Sequence, residues 1–396
     1  MARVERAIVI GGGIGGLTTA VALHRRGVKV TVLERAHSLE PIGAAISLSP
    51  NALRGLDVIG LGDDIRALSA WQGDGGLRAP GGRWLSRTDS AAAAERFGGP
   101  LVLLRRTTLV DRLAARLPAG AVRTATAARL LDPGVPGDSG RPARVGTSDG
   151  ELEADLVVAA DGIHSAVRRV LFPGHPGTVY SGFTTWRMVI PLPGVEFASH
   201  ETWGRGRIWG THPLKDGGVY AYAAAVAPAE ERAPDERAEL LRLYGDWHTP
   251  VPEVLAAIHP EDVLRHDVHH IAEPLPACHH GRAALVGDAA HAMPPNLGQG
   301  GNQAVEDAIT LAHHADDLPA YTAARLPRTT AITRRAVRTA RLNLMMTNRV
   351  GIALRDNVLA AVSKAAPGLL LRGFDGIADW YPPQQPYASR TTAGKG

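Results

Sequence analysis

The stretch Arg6-Ala7-Ile8-Val9-Ile10-Gly11-Gly12-Gly13-Ile14-Gly15-Gly16-Leu17 runs on through Gly27 to Val28-Lys29-Val30-Thr31-Val32-Leu33-Glu34. Arg6–Ile10 is a short apolar run that reads as a buried strand. Gly11–Gly16 is a turn, Leu17–Arg26 a helix capped by Gly27, and Val28–Leu33 a second strand. Glycines 11, 13 and 16 fit G-x-G-x-x-G, in which the backbone comes close to a pyrophosphate lying at the positive end of the following helix. Glu34 closes the second strand about 20 residues on, where an acid takes the ribose hydroxyls of an adenosine. The glycines alone also suit an ordinary turn; the strand, helix and acid around them argue for a dinucleotide. An acid at this position disfavours a 2′-phosphate, so the site should hold FAD or NAD rather than NADP.

Working outward, the 396 residues suit two intertwined domains and a tail. The hydrophobic fraction of 45% and charged fraction of 21% are those of a folded chain. Net charge is only +4, and no Lys/Arg block of the kind that binds nucleic acid occurs. Lysine is confined to Lys29, Lys215, Lys364 and Lys395. The single cysteine, Cys278, excludes an internal disulfide and a cysteine metal cage. No apolar run approaches the ~18 residues of a membrane span, and no secretory h-region precedes the first strand, so a cytoplasmic protein is expected.

Residues 43–70 read as a loop and short helix, and 71–100 as a Gly/Ser/Ala-rich excursion. Thr107–Leu117 reads as a helix and Pro133–Pro142 as an exposed connection. Leu156–Ala160 lacks polar alternation and reads as a buried strand. Thr184–Ile190, Arg207–Thr211 and Val219–Val226 alternate as antiparallel strands do. Ala283–Val286 returns as a buried strand, with a long helix from Gln303 and an arginine-rich helical region from Tyr321. The fold class is α/β: a Rossmann-like dinucleotide domain (1–70, 96–177, 265–330) with an inserted, mostly antiparallel sheet domain (71–95, 178–264). Residues 331–396 form a C-terminal helical region.

Two further motifs follow the first. Asp155–Arg168 is a strand, then Asp161-Gly162, then a helix start with Ser165 and Arg168. Gly287-Asp288 ends a strand, and Pro294–Asn302 leads into a helix whose unpaired N–H groups face an electron-rich ring edge or phosphate. In order and spacing these three motifs resemble the group A FAD-dependent monooxygenases, the aromatic hydroxylases and their zeaxanthin epoxidase relatives, over roughly residues 4–330. Lesser matches are Gly43–Asn51, Arg106, and Tyr321 with Arg325 and Arg328.

The resemblance implies non-covalent FAD, NADH or NADPH as co-substrate, and O₂, with oxygen passed to a small organic substrate through a hydroperoxyflavin. It places Gly11, Gly13, Gly16 and Glu34, with Arg35 alongside, on the ADP half, and Arg106 near the ribityl chain. Asp161 and Gly162 would serve FAD and the passing NAD(P)H, and Asp288 the ribityl–phosphate region. Pro294, Gly298, Gly300, Gly301 and Asn302 would flank the flavin ring, where a helix N-terminus favours the reduced, negative form. Asp161 also reads as a turn aspartate, Arg168 as a helix-surface residue, and His291 as a packed loop histidine.

No catalytic base stands out. Pro295 and Asn296 occupy positions where relatives carry a glutamine or an aspartate, and Pro-Asn is shared with epoxidases, which keeps alkene epoxidation open. Tyr220 and Tyr222 share a strand face, as do Thr185 and Arg187. Arg187 is a candidate for holding a substrate carboxylate, set against an ion pair within the sheet. A non-oxygenating FAD reductase, cyclase or halogenase, or a non-enzymatic FAD sensor, is the alternative, and the oligomeric state stays open.

Overall fold

The computed structural model describes residues 3–39, 45–68, 75–138, 140–192, 194 and 196–383. The chain opens with β1 (Arg6–Ile10), α1 (Ile14–Arg25), β2 (Lys29–Leu33), β3 (Ala45–Leu48), α2 (Pro50–Val58) and α3 (Gly62–Arg66). Next come β4 (Gly75–Arg78), β5 (Trp84–Thr88), α4 (Ser90–Phe97), β6 (Val102–Arg105), α5 (Arg106–Ala114) and β7 (Val122–Arg123). β8 (Arg129–Asp132), β9 (Ala143–Thr147), β10 (Gly150–Ala154), β11 (Leu156–Ala159) and α6 (Ala166–Leu171) precede the long β12 (Val179–Pro191). β13 (His200–Trp203), β14 (Arg207–Pro213), β15 (Gly218–Val226), α7 (Glu236–Tyr244), α8 (Val251–Ala257) and β16 (Leu264–His270) follow. The chain ends with β17 (His279–His280), β18 (Ala283–Leu285), α9 (Asp288–His291), α10 (Gly300–His313), α11 (Leu318–Asn343), α12 (Arg349–Ala365) and α13 (Pro367–Leu371).

A six-stranded sheet runs β17-β18-β11-β1-β2-β7, parallel except for β17. Its central strands β1, β11 and β18 lack polar alternation because both faces are covered. Val9, Val30, Val32 and Val158 pack with α1, α5 and α10. Ile8, Ile10, Val157 and Leu285 pack with α6 and a three-stranded antiparallel layer, β10-β9-β8. That small layer escaped the sequence reading, and Pro133–Pro142 is its β8–β9 connection.

A seven-stranded sheet, β16-β12-β15-β14-β13-β4-β5, is antiparallel but for β13 and β4. Trp186, Met188, Trp209, Ala221 and Ala223 pack its outer face on α7 and α8. The opposite face carries Arg187, Tyr220 and Tyr222, which share a side by their register. β16 belongs to this sheet through β12, so it reaches His270, past the residue 264 boundary read from the sequence. Likewise the 26-residue α11 crosses residue 331 without a break.

Between the two sheets lies a ribbon the sequence reading took for loop: β3 pairs with β6. Gly43 and Ala44, in the stretch Gly43–Asn51, lie outside the described residues. Among the described residues no helix is long and apolar enough to cross a membrane. The buried Cys278 carries a free thiol.

Candidate active site

Two of the fingerprint glycines are fixed by the chain's own packing. Gly11 has φ +109°, and a Cβ there would lie 2.3 Å from the Ala160 carbonyl oxygen. At Gly16 a Cβ would lie 2.0 Å from the Gly11 oxygen. Gly13 differs: the only protein atom near its absent Cβ is Arg106 Nη2 at 3.9 Å. As N-cap of α1 it provides no side-chain cap, so the first N–H groups of the helix are left for a ligand. Glu34 is aimed by two backbone donors, Gly12 N–H at 2.6 Å and Ala36 N–H at 2.8 Å. Arg35 is exposed beside it.

The second and third motifs are joined by a residue read as a helix-surface position. Arg168 is 4% exposed. Its guanidinium donates to the carbonyls of Ile163 at 2.7 Å and Ala289 at 2.9 Å, tying the Asp161 turn to the Asp288 turn. The surface reading of Arg168 is therefore corrected; the periodicity of so short a helix, Ala166–Leu171, did not reveal which side is covered. Asp161 Oδ2 accepts from Val167 N–H at 3.1 Å, while its Oδ1 is buried without a partner. Gly162 has φ +77°, and Asp288 is exposed. Burial lowers the Arg106 pKa, opposed by nearby Asp288 and reinforced by Arg187. Its Nε also lacks a partner. Gly13, Arg106, Asp288 and Arg187 thus converge.

Beyond Asp288, Pro294 is buried and Gly298 is exposed at φ +62°. α10 begins at Gly300, with no side-chain cap from Gln299 to take up its first N–H groups. A Cβ on Gly300 would lie 3.8 Å from Asp288 Oδ1. Gly301 packs against Ile46 instead, a Cβ there falling 2.6 Å from the movable Ile46 Cδ1. The Asn302 side chain is spent within the protein: it accepts from Ser49 N–H and donates to the Ser47 and Gly298 carbonyls. Only its backbone is left for a ligand.

Behind this loop lies a buried polar network whose role the sequence did not disclose. Arg325 donates to Glu306 at 2.5 Å and Asp307 at 2.6 Å, and Arg328 also pairs with Glu306. Asp307 accepts from Gly287 N–H at 2.8 Å and pairs with His291 at 2.5 Å. Tyr321 donates to the Leu285 carbonyl. His291 is thus a packed residue as expected, at the end of α9 rather than in a loop.

The inner face of the seven-stranded sheet completes the site. Arg187 lies 3.4 Å from His266 Nδ1; among the described residues no carboxylate pairs with it, so the expected ion pair within the sheet is absent, and its Nε is unpartnered. The arginine that does pair there is Arg265, with Glu236 and Asp267. Tyr220 and Tyr222 lie 5.6 Å apart, and His212 stacks on Tyr222 at 5.5 Å. Burial raises both phenol pKa values and lowers His212 to about 3. Glu201, which the sequence reading missed, accepts from the Tyr222 hydroxyl at 2.6 Å.

The residues suit FAD. An open face at Gly13, an aimed carboxylate at Glu34, unpartnered atoms on Arg106 and Asp161, exposed Asp288 and the start of α10 would supply contacts along a bound dinucleotide.

Comparison with known proteins agrees. Residues 5–336 match the family model described as FAD binding domain. Over 311 residues the chain is 38% identical to aurachin C monooxygenase/isomerase of Stigmatella aurantiaca, covering 77% of this chain and 79% of that protein. It is 34% identical over 360 residues to 3-amino-4-hydroxybenzoate 2-monooxygenase of Streptomyces cremeus, covering 85% and 86%. Among solved structures, Klebsiella pneumoniae HpxO complexed with FAD and uric acid superposes with TM-score 0.83 at 26% identity, covering 93% of this chain and 95% of that one. These relatives are oxygenating enzymes, which decides against the non-oxygenating alternatives. The chain belongs to the FAD-binding-domain family, within the group A flavin monooxygenases, and is an FAD-dependent monooxygenase.

Proposed function

We propose that the enzyme consumes NADH or NADPH and O₂ to hydroxylate a flat aromatic substrate bound between the FAD cleft and the inner face of the seven-stranded sheet. The observation that carries this reading is the position of Arg187. It shares a face with Tyr220 and Tyr222 and also acts on Arg106, beside Asp288. Bound FAD supplies the redox chemistry; the protein binds, orients and keeps water out. Glu34 and Gly13 would hold the ADP half, Arg106 and Asp288 the ribityl region, and the start of α10 the ring. Stacked aromatic side chains favour a planar ligand, and Arg187 would hold an anionic group on it. Relatives named for aminohydroxybenzoate and urate support a planar polar ring.

The test is to load the protein with FAD and screen aromatic compounds for stimulated NAD(P)H consumption, with ¹⁸O₂ as the oxygen source. Incorporation of one labelled atom into an aromatic product is expected. NAD(P)H consumption that yields only hydrogen peroxide with every compound would overturn the reading.

A further inference from the structure

α12 is built inside out. A helix on a protein surface ordinarily turns its apolar side inward and its charges to water. Here Arg355 and Asp356 are buried and paired with each other at 2.8 Å. Arg355 also donates to the Leu342 and Asn343 carbonyls at the end of α11, and it lies over the Trp203 ring. Ser363 accepts from Arg87 N–H of β5 at 3.2 Å, so this side is held against the protein. The opposite side carries Val350, Ala353, Leu354, Asn357, Val358 and Ala361. Their i, i+3, i+4, i+7, i+8 spacing makes one continuous stripe. Val350 is 78% exposed, Leu354 65% and Val358 51%, and Leu342 and Met345 are exposed on the approach to the helix. Apolar residues exposed singly need no partner, but a row of them along a whole helix marks a contact surface.

The charge beside the stripe says what it meets. Between Leu318 and Phe374 arginine and lysine recur throughout, while the one acid is the buried Asp356. Lys364 is exposed seven residues on from Asn357, and therefore on the side of the stripe. Arg349 opens α12 and Arg341 stands in the last turn of α11, both exposed. Among the described residues none of these three cations has a carboxylate partner. A second copy of the chain fits poorly, because α12 packed on its own copy would set Arg349 against Arg349 or Lys364, like charge on like. Residues 384–396 hold one large apolar residue, Tyr387, and no acid, so they complement neither the stripe nor its charge. An apolar stripe whose flanking charges are all cations matches anionic headgroups over acyl chains. We propose that the enzyme docks on anionic lipid membranes through α12. The helix lies flat in the interface, with Val350, Leu354 and Val358 turned to the acyl boundary and Arg341, Arg349 and Lys364 to the headgroup phosphates. Its other side packs on the protein, so it lies on the membrane and does not span it. The proposal is independent of what the enzyme oxygenates.

The test is co-sedimentation of the FAD-loaded full chain with vesicles of pure phosphatidylcholine, or of phosphatidylcholine mixed with phosphatidylglycerol. Partitioning should be at least about tenfold stronger onto the mixed vesicles and should drop in high salt, which screens the headgroups. Leu354→Glu and Val358→Glu, at exposed positions, should each weaken it at least about tenfold, with FAD content and melting temperature unchanged. Arg349→Glu combined with Lys364→Glu should abolish the preference for phosphatidylglycerol. Absence of binding to the mixed vesicles overturns the proposal. So does binding that both Leu354→Glu and Val358→Glu retain, which would be charge attraction without insertion. Sedimentation velocity without lipid addresses the other occupant. A wild-type dimer that Leu354→Glu converts to monomer would assign the stripe to a second copy and overturn the proposal as well.

Discussion

Glu34 and Arg168 show how differently two charged residues beside one cofactor site are employed. Glu34 sits at a strand end with its carboxylate aimed by Gly12 and Ala36, and its contribution falls on the ligand. Glu34→Ala should weaken FAD binding by roughly 10- to 100-fold, for the loss of about 1.5–3 kcal/mol of charge-assisted hydrogen bonds, with little change in melting temperature. An unchanged FAD dissociation constant would contradict this. Arg168 is buried across the Ile163 and Ala289 carbonyls. Arg168→Ala should destabilise the apoprotein by about 2–4 kcal/mol by leaving buried carbonyls unpaired. Asp288→Ala, at an exposed position, should lower FAD affinity and spare apoprotein stability. Denaturant unfolding of both FAD-free variants decides the ranking, and equal stabilities would refute it. Glu34 and Asp288 were legible because each follows closely on an apolar strand, β2 or β18, beside a glycine turn. The Glu201–Tyr222 pair was not, since it depends on the register of three strands separated by long connections.

At the scale of elements, the FAD-facing loop is held from behind by α10 and α11. Glu306, Asp307 and Arg325 are almost wholly buried, and removing one partner from such a set leaves uncompensated charge. Arg325→Ala should cost about 3–5 kcal/mol and loosen the Gly287 turn, which hangs on Asp307. Burial pushes the Asp307 carboxyl upward, but His291 and Arg325 outweigh it and hold the pKa below the ordinary 3.8. This stabilisation is therefore fully present above that value and is lost as pH falls through the lower, folded-state pKa. Asp307→Asn should flatten the acid limb of a stability–pH curve; an unaltered limb would show the pair contributes nothing there. The sequence revealed that α10 and α11 exist but not that they are bolted together, because the i to i+3 spacing of Arg325 and Arg328 looks the same on a solvated face. α1 and α10 each start three residues earlier than read, since their first-turn glycines were taken as turn. β3 and β6, four residues each, are too short for periodicity to separate from loop.

For the whole molecule, the geometry concentrates two tasks in one place. The described residues contain one glycine-turn dinucleotide fold, in the six-stranded sheet, and the substrate face belongs to the other sheet. On the proposed function, hydride donor and substrate would use the same cleft, one needing access and the other exclusion of water. Beside the ring-side loop there is room for more than one ring position: Gly298 is exposed at φ +62°, and a Cβ built there meets nothing within 4 Å. Burial, and to a smaller degree Arg187 on the sheet, lower the Arg106 pKa on the cofactor side, so an anionic ligand near both arginines would change which arrangement is favoured. A ligand shifts such an equilibrium only by its difference in affinity for the two states. A tenfold effect on rate needs about 1.4 kcal/mol, within reach of one charge-assisted hydrogen bond. NAD(P)H alone should therefore reduce the FAD-loaded enzyme slowly, and a compound shown to be oxygenated should speed reduction at least tenfold. Arg187→Ala should shrink that stimulation more than it slows the unstimulated rate. Anaerobic stopped-flow reduction with and without the compound measures both. Equal rates in the wild-type enzyme would mean that substrate binding and hydride delivery are uncoupled, so that the two sheets share a cleft without controlling it.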